Sequence, residues 1–233
     1  MAENYVKIGA KDVKFAKLDD NGFIVGDPIS LPGTTQVKIS ITSDNATISA
    51  DDGPYMTLSS GIEKITLTIS NYFLTPEVKS LILGTTYVNG MEIYGDDTMP
   101  NHVAVMYETQ LMSNTKHPLY MGLLNGTFKF PESTTKTLGS GAPDPSAEDL
   151  EGEFVLQERG NMKTAAINGF TSDKDFNKED FDTLVFPKDQ SSLDTVLKKL
   201  QDAIEQAKNT APAGGSTGST PTTGSKTNSG PTA

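Results

Sequence analysis

Alternation of aliphatic and hydroxyl side chains is the feature that most limits how this chain can fold. Residues 65–70 read Ile-Thr-Leu-Thr-Ile-Ser, and residues 37–41 alternate aliphatic residues with Lys and Ser in the same way. This period of two is that of a β-strand with one buried and one exposed face. The chain also holds 28 threonines among its 233 residues, and the stiff, branched threonine side chain packs well on a pleated sheet. These features predict a fold built mainly from β-strands.

Other segments predict further strands, giving about eight to ten in an antiparallel core. They are residues 13–18, 23–25, 103–107, 119–124, 126–130, 154–156 and 165–167. Asp19-Asp20-Asn21-Gly22 predicts a turn between the first two of these segments, because glycine readily adopts a positive φ. Asn125-Gly126 lies between two apolar runs and predicts a second hairpin turn.

Two helices are predicted outside these strands. The first begins after the capping residue Thr75, has Pro76 at its first position and ends near Gly84. The second covers about residues 192–208, where one apolar stripe lies opposite a charged face. The stripe consists of Leu193, Val196, Leu197, Leu200 and Ile204. It favours packing on the chain's own sheet over docking on a partner.

Composition divides the chain into one β-rich domain, residues 1–208, and a tail, residues 209–233. The tail contains only Gly, Pro, Ser, Thr, Ala, Asn and one Lys, so it buries too little apolar surface to offset the entropy lost on ordering. We therefore predict a disordered tail. Within the domain, residues 131–153 predict a long acidic loop, which is either functional or a solvated insertion.

Composition also excludes several kinds of chemistry. The chain has no cysteine, which rules out disulfides, iron–sulfur clusters, cysteine-ligated zinc and thiol nucleophiles. The net charge is −11 and Arg159 is the one arginine, so tight binding to nucleic acid is disfavoured. Two histidines leave little material for acid–base catalysis. An enzyme is therefore the weaker interpretation.

The short motifs that suggest a site have simpler interpretations. Tyr94-Gly95-Asp96-Asp97 matches the metal-binding hairpin of RNA-dependent RNA polymerases, but the third carboxylate, the chain length and a basic template channel are missing. Asp19-Asp20-Asn21-Gly22 and Asp51-Asp52-Gly53 lack EF-hand spacing and predict ordinary turns. His102 and His117 have neither helical spacing nor a cysteine companion. We predict no catalytic, cofactor-binding or metal-binding residue.

Targeting signals are not evident in the sequence. The first residues lack the basic region and apolar run of a secretory signal, and no segment approaches the ~20 apolar residues of a membrane helix. We expect synthesis in a cytoplasm, without a signal peptide and without membrane association.

A series of short motifs runs along residues 9–154. The motifs are Gly9–Ala16, Pro32-Gly33, Ala50–Gly53, Leu74–Pro76, Asp96–Pro100, Val103–Val105, Tyr120–Leu123, Asn125–Pro131 and Leu150–Phe154. In their order and spacing they resemble the major tail proteins, or tail tube proteins, of long-tailed, non-contractile phages that infect Gram-positive bacteria. The resemblance implies two packed antiparallel sheets, of sandwich or barrel type, with one or two flanking α-helices.

The same resemblance implies a structural role in the virion tail. Such proteins form hexameric rings that stack into the tube through which DNA leaves the capsid. The implied partners are further copies of the chain, together with tape measure, tail terminator and distal tail proteins. DNA is met only in transit, and no cofactor or membrane is implied. A closed ring also removes unpaired sheet edges, and stacking identical rings is an open-ended contact.

Charge and loops add two hypotheses to this interpretation. An acidic wall repels DNA and keeps it from sticking during transit, so we hypothesise that the net charge of −11 faces the lumen. The loop at residues 131–153 is expected to reach a neighbouring subunit or ring and to order there.

Two other functions remain open from the sequence. The first alternative is a monomeric β-sandwich that binds carbohydrate or a receptor at a phage tail tip or fibre. Such modules usually present exposed aromatic platforms, whereas aromatic residues make up only 7% of this chain and tryptophan is absent. A hydrolase on a β scaffold is the weaker alternative, since no placed acid–base pair is evident.

Overall fold

The computed structural model describes residues 6–50, 53–112, 116–133, 146–160 and 162–210. Within these ranges it contains strands β1 (Val6–Lys17), β2 (Ile29–Leu31), β3 (Thr34–Ala50), β4 (Gly53–Asn71), β5 (Thr86–Val88), β6 (Met91–Ile93), β7 (Val103–Met112), β8 (Lys116–Phe128), β9 (Glu148–Val155), β10 (Gln157–Arg159), β11 (Met162–Thr164) and β12 (Ala166–Phe170). The helices are α1 (Pro76–Leu83), α2 (Lys178–Val185) and α3 (Gln190–Thr210). The prediction of a mainly β chain is confirmed.

Eight of these strands form one antiparallel sheet. Their order is β2–β1–β7–β8–β9–β4–β3, with β12 also paired to β8. Along one edge, β8 pairs first with β12, over Leu119–Leu123, and then with β9, over Gly126–Phe128. The sheet therefore branches at β8. β5–β6 and β10–β11 form two further hairpins.

The two outer strands of the main sheet are joined directly in sequence. β2 lies at one edge and β3 at the other, yet only Pro32 and Gly33 separate them. The edges must therefore meet, and the sheet folds over so that two antiparallel layers face each other across a core. This arrangement confirms the sandwich-type fold that was expected.

Asn71 holds the point where the two edges meet. Its side chain is fully buried, and its Nδ2 atom donates to the carbonyl of Pro32 at 2.8 Å and to Oγ1 of Thr34 at 3.4 Å. Its Oδ1 atom accepts a hydrogen bond from the backbone N–H of Phe73 at 2.7 Å. One buried amide thus connects the β2–β3 turn to the end of β4.

Replacing Asn71 by alanine is expected to lower the free energy of unfolding by about 2–3 kcal/mol, because the substitution leaves buried backbone groups without partners. Urea unfolding of the unassembled protein measures this change. Thr35→Ala is the matched control, since the exposed Thr35 bonds the same region and should change stability by about 0.5 kcal/mol or less. Equal effects of the two substitutions would contradict this role of Asn71.

A chain of three aromatic rings crosses the core. The ring centroids of Phe15 and Phe128 are 5.6 Å apart, and those of Phe128 and Phe154 are 5.8 Å apart, both in edge-to-face geometry. The three residues come from β1, β8 and β9, so the contacts join both layers. Gly152 makes room for this packing, since a Cβ atom there would lie 2.6 Å from the Phe128 ring.

The helices close the core and cover one layer. α1 is capped by Thr75 and stops at the left-handed Gly84, as the sequence predicted, and it buries Val78, Ile82 and Leu83. α2 packs on the outer face of β1, β7 and β8 through Phe181 and Val185. α3 packs on α2, where Leu193, Val196 and Leu197 contact Leu184.

Two predictions about turns and loops need correction. Asn125-Gly126 is not a turn: it lies within β8, where Gly126 pairs with both Val103 and Phe154. A Cβ atom on Gly126 would lie 2.5 Å from the Phe154 ring, so the glycine serves close packing. The acidic segment 131–153 is not loop throughout, because β9 begins at Glu148. Its residues 134–145 lie outside the described residues.

The helices also differ from expectation in number and extent. The described residues contain three helices instead of one or two, since the sequence interpretation missed α2. α3 spans Gln190–Thr210, two residues beyond the predicted bounds at each end. Its last two residues fall in the segment that was assigned to the tail, and residues 211–233 lie outside the described residues.

Candidate functional site

The residues tested for chemistry occupy separate, structural positions. Asp19 closes the predicted turn, because its Oδ1 atom accepts hydrogen bonds from the N–H groups of Asn21 and Phe23 at 3.0 and 2.8 Å. These backbone bonds hold the pKa of Asp19 below its ordinary value. In the Tyr94-Gly95-Asp96-Asp97 motif, the N–H group of Gly95 donates to Oγ1 of Thr98 at 2.8 Å, so this motif is a local turn.

The two histidines lie far apart. His102 precedes β7 and its Nδ1 atom is 2.8 Å from Oδ1 of Asn125, whereas His117 pairs with Leu111 at the opposite end of the β7–β8 ladder. Within the described ranges, no group of three His, Asp or Glu side chains is arranged to hold a metal ion. Asp51 and Asp52 lie outside those ranges.

A cavity of about 450 Å³ lies between β12 and helices α2 and α3. Its walls are mainly apolar and include Phe170 and Phe181. Two of its polar groups have structural partners: Asp180 binds Lys199, and Asn177 caps α2 by accepting a hydrogen bond from the backbone N–H two residues later at 2.8 Å. Among its lining residues, all of which the structure describes, no nucleophile lies beside a base. The prediction that the chain has no catalytic residue stays a prediction.

Exposed surfaces are the more informative candidates, and the first is the outer face of β4 and β9. The helices cover the other layer of the sheet, whereas this face carries Thr66, Thr68 and Ser70 beside Glu151 and Glu153. We call it the open polar face. It follows from the period of two, because the alternate residues of β4 and β9 fill the core.

Two carboxylates of the open polar face, Glu151 and Glu153, form ion pairs with lysines. Nζ of Lys129 lies 2.7 Å from Glu151 and 3.0 Å from Glu153, and Lys64 lies 3.4 Å from Glu153. Hydrogen bonds from Lys129 and Lys64 lower the pKa of Glu153, and those to Glu151 and Glu153 raise the pKa of Lys129. Both lysines of this network are thus already engaged by carboxylates.

A second surface lies at the end of the β4–β9 ladder marked by Asn71. It consists of the β5–β6 hairpin, the segment between β6 and β7, and the residues that follow β8. Seven large apolar side chains there are between 44% and 73% exposed. They are Tyr87, Val88, Met91, Ile93, Tyr94, Met99 and Phe130. We call this surface the apolar end.

Polar contacts fix the apolar end to the body of the protein. Glu92 of β6 accepts a hydrogen bond from Nζ of Lys79 in α1 at 3.3 Å and from the hydroxyl of Tyr94 at 2.9 Å. Burial tends to lower the pKa of Lys79, but its bond to Glu92 outweighs this effect and the pKa is raised. The Tyr94 and Phe130 rings are 6.4 Å apart. These contacts hold the apolar residues in a defined arrangement.

A third surface is the hairpin formed by β3 and β4. β4 pairs with β9 only from Lys64 to Asn71, whereas β3 and β4 continue to pair with each other as far as Ala50 and Gly53. The segment beyond Lys64 therefore pairs with no third strand among the described residues. We call residues 44–60 the projecting hairpin.

A family model shows what kind of protein carries these surfaces. The model for phage tail tube proteins matches residues 6–192. The chain belongs to the phage tail tube protein family. Membership makes it a structural component of a phage tail, one that assembles with other tail proteins. A tail location was predicted from the resemblance, and the family match confirms it.

Two solved structures share a distant likeness with this tail tube family member. One is the anti-feeding prophage cap, a tube-terminating cap, with a TM-score of 0.39, 10% identity and coverage of 73% of this chain and 95% of that chain. The other is the sheath–tube complex of an extracellular contractile injection system in its extended state, with a TM-score of 0.33, 10% identity and coverage of 69% and 89%. No curated protein sequence matches the chain. In the described part of the chain, no helix is long and apolar enough to span a membrane.

Sequence reasoning missed both the apolar end and the projecting hairpin. The apolar residues at positions 87–99 carry no signal of exposure, since similar residues elsewhere in the chain fill the core. The sequence interpretation assigned no strand to residues 44–60, and the hairpin's lack of a third strand depends on where β9 ends.

Proposed function

We propose that this chain forms hexameric rings that stack into the tail tube of a long-tailed, non-contractile phage of Gram-positive bacteria. The tube conducts DNA during ejection, and the chain carries out no catalysis. The observation that carries the proposal is the tail tube family model, which covers residues 6–192. Its partners are further copies of itself, with tape measure, tail terminator and distal tail proteins at the bore and ends.

The free edge of β3 supports a ring. Among the strands that the structure describes, β3 pairs with β4 on one side, and its residues 36–42 leave a row of backbone donors and acceptors on the other. Exposed edges of this length invite pairing with another chain, and a closed ring satisfies them without leaving an end.

The open polar face supports a conduit. Threonine and serine hydroxyls and paired ions offer DNA no cluster of free cations, which is what phosphate binding requires. We therefore assign this face to the lumen. Glu151 and Glu153 add little net negative charge to the lumen, because Lys64 and Lys129 form ion pairs with them. We therefore propose a lumen that is polar and without free clustered cations, instead of one that is strongly acidic.

Changing Glu151 and Glu153 together to lysine is expected to leave tube assembly intact but to make the tube bind DNA. The change replaces two carboxylates by two cations in every subunit, so a hexameric ring gains a dense positive band facing the bore. Co-sedimentation of assembled tubes with short double-stranded DNA at low salt measures the binding. Asp202→Lys with Glu205→Lys on α3 is the charge-matched control. Any DNA that this control binds should lie outside the tube, where added nuclease digests it.

Negative-stain microscopy of concentrated protein tests the function itself. Rings or tubes of uniform diameter are the expected result. Monodisperse particles at every concentration would contradict the proposal and favour a monomeric binding module. If the protein forms tubes but the double-lysine variant does not retain DNA, the tube function stands. The placement of the open polar face in the lumen is then contradicted.

A further inference from the structure

Strand β12 has an unpaired edge beside the cavity of about 450 Å³. Among the described strands, β12 pairs only with β8. The N–H group of Leu124 donates to the carbonyl of Ala165 at 3.0 Å, and that of Thr171 donates to the carbonyl of Pro118 at 3.3 Å. Bonded positions alternate along an antiparallel ladder, so the odd-numbered residues here turn their backbone groups towards β8. The even-numbered residues of β12 therefore turn theirs to the free edge.

Asn168 is the open position on this edge. The carbonyl of Phe170 accepts a hydrogen bond from the N–H group of Asp173 at 3.1 Å, and the carbonyl of Ala166 accepts one from Oγ1 of Thr164 at 3.0 Å. Asn168 is exposed, and no strand that the structure describes pairs with its outward N–H and carbonyl groups. A sheet edge of this kind accepts an added strand, because main-chain hydrogen bonds supply part of the affinity.

The cavity lies on the side of β12 that faces helices α2 and α3. Ile167 and Gly169 of β12 line it, and Phe181 and Leu184 of α2, which are 4% and 5% exposed, line it from the helix side. A Cβ atom on Gly169 would lie 2.4 Å from the Phe176 ring, so the glycine lets this ring lie against the strand. Cavities of this size with mainly apolar and aromatic walls are typical of ligand sites.

A strand added at Asn168 would place alternate side chains in the cavity. Side chains along a strand point to opposite faces of the sheet in turn. The residue opposite Asn168 therefore lies on the far face, and its two neighbours lie on the face of Ile167 and Gly169, which lines the cavity. This geometry favours an extended segment that has apolar residues at two alternate positions.

The charged side chains that line the cavity are all carboxylates, from Asp173, Asp175 and Asp180. Asp180 binds Lys199 at 2.9 Å. Asp173 and Asp175 form no ion pair with a residue that the structure describes, although Lys174 lies between them in sequence. Oδ1 of Asp173 accepts a hydrogen bond from the N–H group of Asp175 at 3.0 Å, which fixes the turn that carries both. The site therefore favours a cationic occupant.

We propose that β12 binds an extended, basic and apolar segment of another protein, which adds a strand at Asn168 and buries two side chains in the cavity. Another protein is the occupant because no segment of this chain outside the described residues has the required composition. Residues 211–233 contain no large apolar side chain, and residues 1–5 contain no lysine or arginine. Residues 134–145 contain a single leucine and a single lysine, and the remaining gaps are of three residues or fewer.

This inference goes beyond the proposed function. β12 belongs to the layer that α2 covers, opposite the open polar face. A tube whose lumen is the open polar face therefore carries the site on its outside, where a second protein has access to it. The site is tested on the unassembled full-length chain, so tube formation and segment binding can each fail without the other.

Titration with a synthetic peptide tests the site. The probe is the acetylated and amidated heptapeptide Ser-Lys-Leu-Thr-Leu-Lys-Ser, labelled for fluorescence anisotropy, which has leucines at the two alternate positions and a lysine outside each. The same peptide with glutamate in place of both lysines should bind about tenfold more weakly at low salt. A peptide with an N-methylated threonine should also bind about tenfold more weakly, because the central main-chain donor is lost.

Asn168→Pro blocks the edge from the side of the protein. Proline lacks the N–H group, and position 168 donates nothing to β8, so the pairing of β12 with β8 is kept. This variant should bind the basic peptide about tenfold more weakly or worse. Asn168→Ala is the matched control, since it keeps the N–H group and should bind within about twofold of the parent chain. Circular dichroism and urea unfolding verify that both variants are folded.

The outcomes separate the site from its occupant. Failure of the basic peptide to bind at about 1 mM would overturn the site, as would equal affinity for the basic, acidic and N-methylated peptides. Undiminished binding by a folded Asn168→Pro variant would overturn strand addition. Binding by the unassembled chain but not by assembled tubes would overturn the choice of another protein, because a neighbouring copy would then cover the edge.

Discussion

Replacing Phe128 by alanine is expected to lower the free energy of unfolding by about 3–5 kcal/mol. Phe128 is 1% exposed and its ring contacts both Phe15 and Phe154, so the substitution opens a cavity between the two sheet layers. Domains of this kind are commonly stable by about 5–15 kcal/mol, so the variant should unfold at a much lower urea concentration.

Phe130→Ala is the matched control, because it removes the same ring two residues along the chain. Phe130 is 46% exposed, and its loss should change the stability of the unassembled protein by about 0.5–1 kcal/mol at most. Urea unfolding followed by circular dichroism compares the two. Similar losses for both variants would contradict a core in which Phe128 joins the layers.

Replacing Arg159 by methionine is expected to raise the free energy of unfolding by about 1–3 kcal/mol. Arg159 is 3% exposed, and its Nε and Nη1 atoms have no hydrogen-bond acceptor among the described residues. Nη2 makes only a long bond of 3.4 Å to Gln157. Burial lowers the pKa of Arg159 to about 10, so the side chain remains a cation at neutral pH and its desolvation is uncompensated.

The control for Arg159 keeps the charge. Arg159→Lys retains a buried cation and should give no gain in stability, whereas methionine keeps an apolar stem without the charge. Thermal or urea unfolding at pH 7 measures both variants. A methionine variant that is less stable than the parent by more than about 1 kcal/mol would contradict the description of Arg159 as uncompensated.

The strands could be predicted because apolar and polar residues alternate along them in the same way as buried and exposed side chains. Residues 65–70 alternate since one face of β4 fills the core and the other forms the open polar face. α1 could be predicted equally well, because the capping residue Thr75 and the left-handed Gly84 mark its two ends. In both cases the signal lies in neighbouring residues and needs no knowledge of tertiary packing.

Tertiary packing explains the misses. Asn125-Gly126 has the local signature of a turn, but Gly126 is needed because the Phe154 ring lies against its backbone. α2 has only eight residues, and its apolar positions, which include Phe181 and Val185, follow a helical spacing that is too short to stand out. Asp149, Glu151 and Glu153 suggested a loop, although in β9 they alternate with the core residues Leu150 and Phe154 and occupy the outer face.

The candidate surfaces could not be predicted for a related reason. Whether an apolar residue is core or interface depends on which element covers it, and nothing in residues 87–99 distinguishes the two cases. The free length of the β3–β4 hairpin likewise depends on where β9 stops, at Val155. The resemblance to tail tube proteins supplied the function, whereas the positions of its contacts required the fold.

Cryo-electron microscopy of the assembled tube tests the proposed architecture most directly. We expect stacked six-membered rings in which β4 and β9 line the bore and α2 and α3 lie outside. A tube whose bore is lined by α2 and α3, or protein that stays monomeric at every concentration, would contradict it.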